Sequence, residues 1–215
     1  MDKREKTLAL IEKQIREFRI PSVTVISDRK DPYLVLISCI LSLRTKDKTT
    51  VEACNRLFTV ADSPKKMVKV PAQRIQKLIY PVGFYRNKAK VIINISKRIL
   101  DEFKGRVPNT LDNLLTLKGV GRKTANLVLG LGYKIPAICV DTHVHRISNR
   151  LGWVATKTPE ETEFALQKII PRREWIDLNT TLVTFGQNLC VPISPFCGRC
   201  VVRALCKRKG VIQSR

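Results

Sequence analysis

The stretch LKGVGRKTANLVLG, residues 117–130, contains a tight glycine turn followed directly by basic residues. Only Val120 separates Gly119 from Gly121, so the spacing does not match a nucleotide P-loop, G-x-x-x-x-G-K-[ST]. A dinucleotide fingerprint would need glycine or alanine at position 124, which is threonine, and a strand before the turn. The pattern that remains is a glycine hairpin between two helices.

Apolar residues recur at helical spacing on both sides of this hairpin. They are Leu111, Leu114, Leu115 and Leu117 before it, and Ala125, Val128, Leu129 and Leu131 after it. Successive backbone amides in such a turn, with the positive end of the second helix, form a site for an anion. From these residues alone, a helix–turn–helix whose glycines only permit close packing explains the pattern equally well.

The composition of the whole chain favours a polyanionic partner. Its 215 residues include 40 lysines and arginines against 18 acidic residues, a formal net charge of +22, spread over runs such as RNKAK at 86–90. Only 6% of residues are aromatic, which argues against an RNA-binding sheet that stacks bases. Neither a basic amphipathic helix nor a long apolar run indicates a membrane partner. Duplex DNA is therefore the expected partner.

The N-terminal segment MDKREKTLALIEKQ is charged and amphipathic rather than an export signal. Its acidic residues also argue against a mitochondrial presequence, so we expect no signal or transit peptide and an intracellular, cytoplasmic or nucleoid location. In that reducing environment the seven cysteines should not form disulfides. We also expect a monomer.

Start signals and apolar periodicity predict an all-α protein. Asp31–Pro32 predicts an N-cap followed by a first-turn proline, and the apolar run behind it predicts a helix buried on all sides. Ser63–Pro64 and Thr158–Pro159 repeat this start signal, and Thr158 with Glu161 forms a capping box. The best strand candidate is IPAICV, residues 135–140, which is short and isolated.

Four cysteines near the C-terminus form the most distinctive pattern of the chain. Cys190, Cys197, Cys200 and Cys206 are spaced as C-x6-C-x2-C-x5-C. Four soft thiolates can hold zinc or a four-iron, four-sulfur cluster, and the spacing alone does not decide between them. The remaining cysteines lie in apolar segments and are predicted to be core thiols: Cys39, Cys54 and Cys139.

The segment VDTHVHRISNRLGW, residues 140–153, begins a further helix. Asp141 precedes that helix, so capping its N-terminus is the default role of this carboxylate. His143 and His145 could suggest a metal site, but residues two apart point away from each other on a helix. We therefore predict no metal site at these histidines.

Together these motifs resemble the endonuclease III family, the helix-hairpin-helix DNA glycosylases that also have abasic-site lyase activity. The resemblance rests on GVGRKTA at 119–125, VDTH at 140–143 and the cysteine pattern, with further matches in LS-x-x-T-x-D at 41–47 and GFYRNKA at 83–89. It covers nearly the whole chain.

The resemblance implies two α-helical domains flanking a DNA-binding cleft. A six-helix domain would span residues 25–135 and carry the helix-hairpin-helix motif. The cluster domain would combine residues 1–24 with residues 136–215, and its four C-terminal cysteines would bind a 4Fe–4S cluster.

The resemblance also implies the site residues. Lys123 matches the catalytic lysine of the family and Asp141 the catalytic aspartate. Arg44 is a departure, because the family usually has glutamine at that position. The DNA contacts are expected from Arg44, Phe84, Leu117, Lys118, Gly119, Val120, Gly121, Arg122 and His143.

The implied chemistry begins with extrusion of a damaged base from the duplex. A neutral lysine amine then attacks the anomeric carbon of the sugar, expels the base and forms a Schiff base. We therefore expect a base-excision repair glycosylase with β-elimination lyase activity, which acts on oxidised or damaged pyrimidines and on abasic sites in duplex DNA.

Two alternatives stand beside this expectation. A monofunctional glycosylase, for mismatched thymine or uracil or for adenine opposite damaged guanine, would usually lack a lysine at the position of Lys123. A non-catalytic DNA-binding module with a structural metal would explain the composition, the hairpin and the cysteines. Only the pair of Lys123 and Asp141 argues against that module.

Overall fold

The computed structural model describes residues 2–27 and 31–215, and all regular secondary structure within these ranges is helical. Its α-helices are α1 (Lys3–Ile15), α2 (Ser22–Ser27), α3 (Pro32–Ser42), α4 (Asp47–Val60), α5 (Pro64–Met67), α6 (Ala72–Ile79), α7 (Tyr85–Glu102), α8 (Leu111–Thr116), α9 (Arg122–Leu127), α10 (Thr142–Leu151), α11 (Pro159–Gln167) and α12 (Trp175–Asn188). A π-helical turn at Val128–Gly132 continues α9, and 3-10 turns lie at Arg172–Glu174, Cys197–Arg199 and Arg203–Leu205. The predicted all-α class is confirmed.

The strand candidate at residues 135–140 is wrong. An isolated extended segment has no neighbouring strand with which to share backbone hydrogen bonds. A side chain supplies one of its backbone hydrogen bonds instead: Asn179 Nδ2 donates to the Cys139 carbonyl oxygen at 3.1 Å. Ile138, Cys139 and Val140 are buried, which explains the apolar pattern without a sheet.

The chain divides into two compact units. One unit is Ser22–Ile135 and contains α2 to α9. The other combines the chain up to Pro21 with Pro136–Arg215, and it contains α1 and α10 to α12. No helix in the described parts of either unit is long and apolar enough to cross a membrane.

Helix α3 is the central element of the Ser22–Ile135 unit. Asp31 caps its N-terminus by accepting hydrogen bonds from the amides of Tyr33 at 2.7 Å and Leu34 at 3.4 Å. The helix is buried from Tyr33 to Leu41, and it packs against α2, α4, α7 and α9. Both the cap and the helix buried on all sides are therefore confirmed.

In the other unit, α1 and α10 pack against α12. The apolar face of α1 joins a core that includes Leu178, Leu182 and Phe185 of α12. Thr158 caps α11 as predicted, because its Oγ1 accepts from the Glu161 amide at 3.1 Å. This unit also carries the cysteine loop, residues 190–206, which follows α12. All seven cysteines lie in the described ranges, and none forms a disulfide.

Candidate active site and cysteine loop

The glycine hairpin joins α8 to α9. Leu117 and Val120 are buried and anchor it, and the Val120 amide closes the turn on the Leu117 carbonyl oxygen at 2.9 Å. Lys118, Gly119 and Gly121 are exposed. The two buried apolar side chains thus anchor the turn, while its glycines and Lys118 are exposed to solvent.

The two glycines of the hairpin have different conformational needs. Gly119 has φ +94°, and a Cβ there would lie 2.9 Å from Val91 Cγ1. Gly121 has φ −98° and ψ 174°, and a Cβ there would meet no other atom within 4 Å. Left-handed backbone and a tight fit therefore make glycine necessary at position 119 but not at position 121.

Lys123 is the second residue of α9 and is exposed. The residues after it, Thr124 to Leu127, are buried. Beneath it, burial raises the pKa of the Cys39 thiol in α3 to about 12, and the nearby positive charge of Lys123 opposes that rise. The first turn of α9 thus exposes the Lys123 amine to solvent, while the residues that follow it are packed in the core.

Asp141 caps α10 in the other unit, as its position before the helix predicts. Its Oδ1 accepts hydrogen bonds from the amides of His143 at 2.8 Å and Val144 at 2.9 Å. The carboxylate is half-buried and held by two backbone donors. Its orientation is therefore fixed by the helix that it caps.

His143 and His145 have separate side-chain partners. Arg146 Nη2 lies 3.1 Å from His143 Nδ1. Because a guanidinium can only donate, Nδ1 accepts this hydrogen bond, and the proton of the neutral ring is on Nε2. His145 Nδ1 instead pairs with Thr162 Oγ1 at 2.7 Å. Arg146 also donates to the Cys190 carbonyl oxygen at 2.9 Å, so α10 is joined to the cysteine loop.

Arg44 and Phe84, predicted from distant stretches of sequence, lie together in the Ser22–Ile135 unit. The Arg44 guanidinium carbon is 5.6 Å from the centroid of the Phe84 ring, a cation–π distance. Phe84 is 64% exposed although it is aromatic. Both residues have positive φ, 52° for Arg44 and 58° for Phe84, a conformation that costs on the order of 1–3 kcal/mol for each residue.

Lys88 is the residue near this pair that the sequence analysis missed. It belongs to the basic run RNKAK, yet it is only 6% exposed. Its ammonium donates to the carbonyl oxygens of Leu41 at 2.9 Å and Leu43, and to Thr45 Oγ1 at 3.2 Å. Burial lowers the pKa of Lys88 to about 8, while these oxygens favour the protonated amine. The available signal was its helical register with the buried residues Ile92, Ile95, Ser96 and Ile99.

The four C-terminal cysteines line one cavity after α12. Arginine side chains and apolar groups, Phe185 and Leu189 among them, complete its lining. Arg150 Nη1 donates to Cys190 Sγ at 3.4 Å, and the Arg208 amide donates to Cys206 Sγ at 3.3 Å. These donors favour thiolate sulfur, the form that binds metals.

The ionisation of these thiols shows how they affect one another. Burial raises the pKa of Cys200 to about 11, and its three partner cysteines raise it further. Burial likewise raises the pKa of Cys206. Four thiolates in one apolar cavity need positive charge among them, so this donor set fits an iron–sulfur cluster chemically. Among the described residues, no three His, Cys, Asp or Glu side chains converge on the position of a single metal ion, so the fit of the four cysteines to a cluster rests on the chemistry of their thiolates and on the cavity that they share.

Comparisons with known proteins assign the family. The HhH-GPD superfamily of base excision DNA repair proteins matches residues 37–172. Endonuclease III of Thermotoga maritima is 47% identical over 190 residues, a match that covers 86% of this chain and 89% of the relative. The chain belongs to the endonuclease III family. It is therefore a base-excision repair DNA glycosylase with abasic-site lyase activity, as predicted.

Solved structures share this fold. A trapped endonuclease III–DNA covalent intermediate matches with a TM-score of 0.83 and 33% identity, over 97% of each chain. A thermostable thymine-DNA glycosylase matches with a TM-score of 0.84 and 25% identity, over 96% of each chain. The family binds DNA and generally carries a 4Fe–4S cluster.

Proposed function

We propose that Lys123 performs the chemical step and that the substrates are oxidised or damaged pyrimidines and abasic sites in duplex DNA. The amine of Lys123 attacks the anomeric carbon of the sugar, and the bond to the base breaks as the new carbon–nitrogen bond forms. Opening of the sugar ring then gives a Schiff base, from which β-elimination breaks the strand. The observation that carries this proposal is the exposed lysine on the first turn of α9, directly after the glycine hairpin.

Asp141 is proposed as the acid–base partner of this reaction. A carboxylate can take up the proton lost by the attacking amine, or stabilise positive charge that develops on the sugar. Two backbone amides already hold Oδ1 of Asp141. A fixed carboxylate suits this role because it needs no reorientation as charge develops.

The hairpin is proposed to hold a DNA backbone phosphate. The backbone amides at Lys118, Gly119 and Gly121 and the start of α9 offer donors to an anion. The amides of Leu117 and Val120 donate to backbone carbonyl oxygens instead, so these two residues would help by fixing the shape of the turn. The side chains of Lys118 and Arg122 add positive charge, and His143 adds a contact from the start of α10. These contacts position the duplex without reading its sequence.

Arg44 and Phe84 are proposed to fill the gap that an extruded base leaves. Phe84 is an exposed apolar wedge of the kind that separates stacked bases. Arg44 can stack and can donate hydrogen bonds to the unpaired base opposite the lesion. Since the family usually has glutamine here, we propose that arginine changes the preference for that opposite base.

The cluster and the assembly complete the proposal. Cys190, Cys197, Cys200 and Cys206 would hold a 4Fe–4S cluster, which cross-links the loop after α12 when it is bound. The unit Ser22–Ile135 would act as the hairpin domain and the other unit as the cluster domain. The protein would act on damaged duplex DNA as a monomer.

Borohydride trapping tests the proposed chemistry. The purified protein is mixed with duplexes that carry thymine glycol or an abasic site, and sodium borohydride reduces any Schiff base to a stable covalent link. We expect a protein–DNA adduct and strand cleavage with both duplexes. Base release without an adduct would indicate a monofunctional glycosylase, and binding without base release would indicate a non-catalytic module.

A further inference from the structure

The three oxygens that accept from the Lys88 ammonium bracket Arg44. Leu43 precedes Arg44 and Thr45 follows it, while Leu41 lies one residue before the end of α3. The backbone amide of Lys88 donates to the Phe84 carbonyl oxygen at 3.0 Å. Lys88 therefore follows Phe84 by one helical turn and reaches with its side chain across to both sides of Arg44.

Thr45 closes this network from the opposite side. Its Oγ1 accepts from the Lys88 ammonium at 3.2 Å and from the Gly83 amide at 3.2 Å. Gly83 directly precedes Phe84, and a Cβ at Gly83 would lie 2.6 Å from the Arg44 carbonyl oxygen. The two loops thus touch backbone to backbone, with no room for a side chain between them.

A lysine fits this position better than an apolar residue of similar length. The carbonyl groups at the C-terminal end of a helix lack intrahelical donors and carry partial negative charge. The ammonium offers three protons to three oxygens, two of which are the carbonyl oxygens of Leu41, in the last turn of α3, and of Leu43, its C-cap. The Gly83–Thr45 hydrogen bond and the Arg44–Phe84 ring contact also link the two left-handed residues, and the Lys88 ammonium adds the donors that tie the carbonyl oxygens before Arg44 to the helix that begins after Phe84.

We propose that Lys88 is a positioning residue that fixes Arg44 and Phe84 as one rigid pair. The two side chains then enter the duplex together. This inference rests on the proposed function, in which Arg44 and Phe84 fill that gap. It predicts that Lys88 matters for lesions stacked in a duplex and not for sites that need no base extrusion.

The test compares Lys88→Met with Lys90→Met. Lys90 is an exposed lysine of the same helix. Both changes remove one positive charge, but only the first removes the donors to the Arg44 loop. Thymine glycol release from duplex DNA is measured under single-turnover conditions, beside cleavage of an abasic site in single-stranded DNA. A 2-aminopurine placed opposite the lesion reports by its fluorescence whether the wedge has unstacked it.

For Lys88→Met we expect duplex excision to fall about tenfold or more, since misplacing catalytic or inserting groups is that costly. Cleavage of the single-stranded site should stay within about twofold of the parent, and the 2-aminopurine signal should fall. Lys90→Met should match the parent in all three measurements. Equal behaviour of the two variants would overturn the inference, and so would an equal loss on single-stranded and duplex substrates.

Thr45→Val provides an independent variant should Lys88→Met fold poorly. It keeps the shape of the side chain but removes the oxygen shared by Lys88 and Gly83. We expect the same selective loss on duplex substrate and a lower 2-aminopurine signal; an unchanged ratio of duplex to single-strand activity would contradict the inference. If the parent protein itself neither releases thymine glycol nor cleaves abasic sites, the proposed function fails instead.

Discussion

At the scale of single residues, the two proposed catalytic side chains differ in what else they do for the fold. Lys123 stands exposed on a first helical turn, whereas Asp141 also caps α10. A substitution at Asp141 should therefore remove the carboxylate that is proposed to act in the reaction and still cap the helix. Asparagine meets both conditions, because it caps helices about as well as aspartate.

Asp141→Asn should keep the fold and slow base release by roughly two or more orders of magnitude. The neutral amide cannot take up a proton or offset positive charge on the sugar. Single-turnover release of thymine glycol measures the rate, and thermal unfolding checks the fold. Asp31→Asn is the matched control, because Asp31 caps α3 through two amides in the same way. Equal rates for the two variants would remove Asp141 from the reaction.

The buried Lys88 is expected to make the free energy of unfolding depend on pH. Its folded pKa of about 8 lies below the ordinary lysine value of about 10.4, so between these pH values the unfolded chain binds more protons. The contribution of Lys88 to stability must therefore rise with pH in this window, by at most about 1.4 kcal/mol per pH unit. Below about pH 8 it should be constant.

Denaturant unfolding of the parent and of Lys88→Met at pH 7, 9 and 10 checks this prediction. The difference between the two proteins isolates Lys88, because the other titrating groups are common to both. We expect the parent to gain stability relative to the variant as the pH rises. A difference that stays flat, or that changes in the opposite direction, would show that burial does not lower the pKa of Lys88.

At the scale of elements, the hairpin between α8 and α9 depends on one glycine. Gly119→Ala should strain a left-handed backbone and push against Val91, which displaces the amides proposed to bind phosphate. We expect DNA affinity to fall roughly tenfold, about 1.4 kcal/mol, for damaged and undamaged duplexes alike. Fluorescence anisotropy with both duplexes measures this loss.

Gly105→Ala serves as the control for strain alone. Gly105 also has positive φ, +78°, and the nearest atom to a Cβ there is 3.6 Å away, outside the hairpin. This variant should lose stability without losing affinity for DNA. An affinity loss at Gly119 that is confined to damaged DNA would argue against a positioning role for the hairpin.

The elements also show what the sequence could and could not predict. Caps such as Asp31 and Thr158 were predictable, because a single side chain and its neighbouring amides determine them. The strand assigned to residues 135–140 failed because apolar runs bury equally well as extended connections. Two glycines mark the hairpin, but only the three-dimensional turn shows that Gly119 has the left-handed conformation.

The same limit applies to the candidate site. Arg44 and Phe84 were expected from a family resemblance, whereas their contact depends on packing between α3 and α7. Lys88 was counted with exposed basic residues, since a lysine in a basic run is usually solvated. Its burial follows from acceptors 43 to 47 residues away in sequence, which no local pattern reveals.

At the scale of the whole molecule, we expect the cysteine loop and the net charge of +22 to contribute to DNA binding rather than to the reaction itself. The protein as purified should absorb broadly in the visible range and contain iron. Cys197→Ser should lower the iron content and weaken DNA binding, because the proposed cluster would lose one ligand and the basic loop that it would cross-link should become less ordered. Iron analysis and DNA affinity measure both effects.

Cys54→Ala is the matched control for the loss of a thiol, since Cys54 is buried in the other unit. Its iron content and visible absorbance should equal those of the parent. One zinc ion and no iron in the parent protein would contradict the proposed cluster. Full iron content in the Cys197→Ser protein would remove Cys197 from its ligands.

Mapping the trapped adduct tests most directly whether Lys123 forms the covalent bond to DNA. Borohydride-reduced adducts of the parent, of Lys123→Gln and of Lys118→Gln are compared at saturating protein, and the modified peptide is sequenced by mass spectrometry. We expect the reduced sugar on Lys123, no adduct with Lys123→Gln, and full adduct yield with Lys118→Gln, which changes an exposed lysine of the same hairpin. Parental adduct yield from Lys123→Gln, or a sugar attached to another residue, would contradict the account.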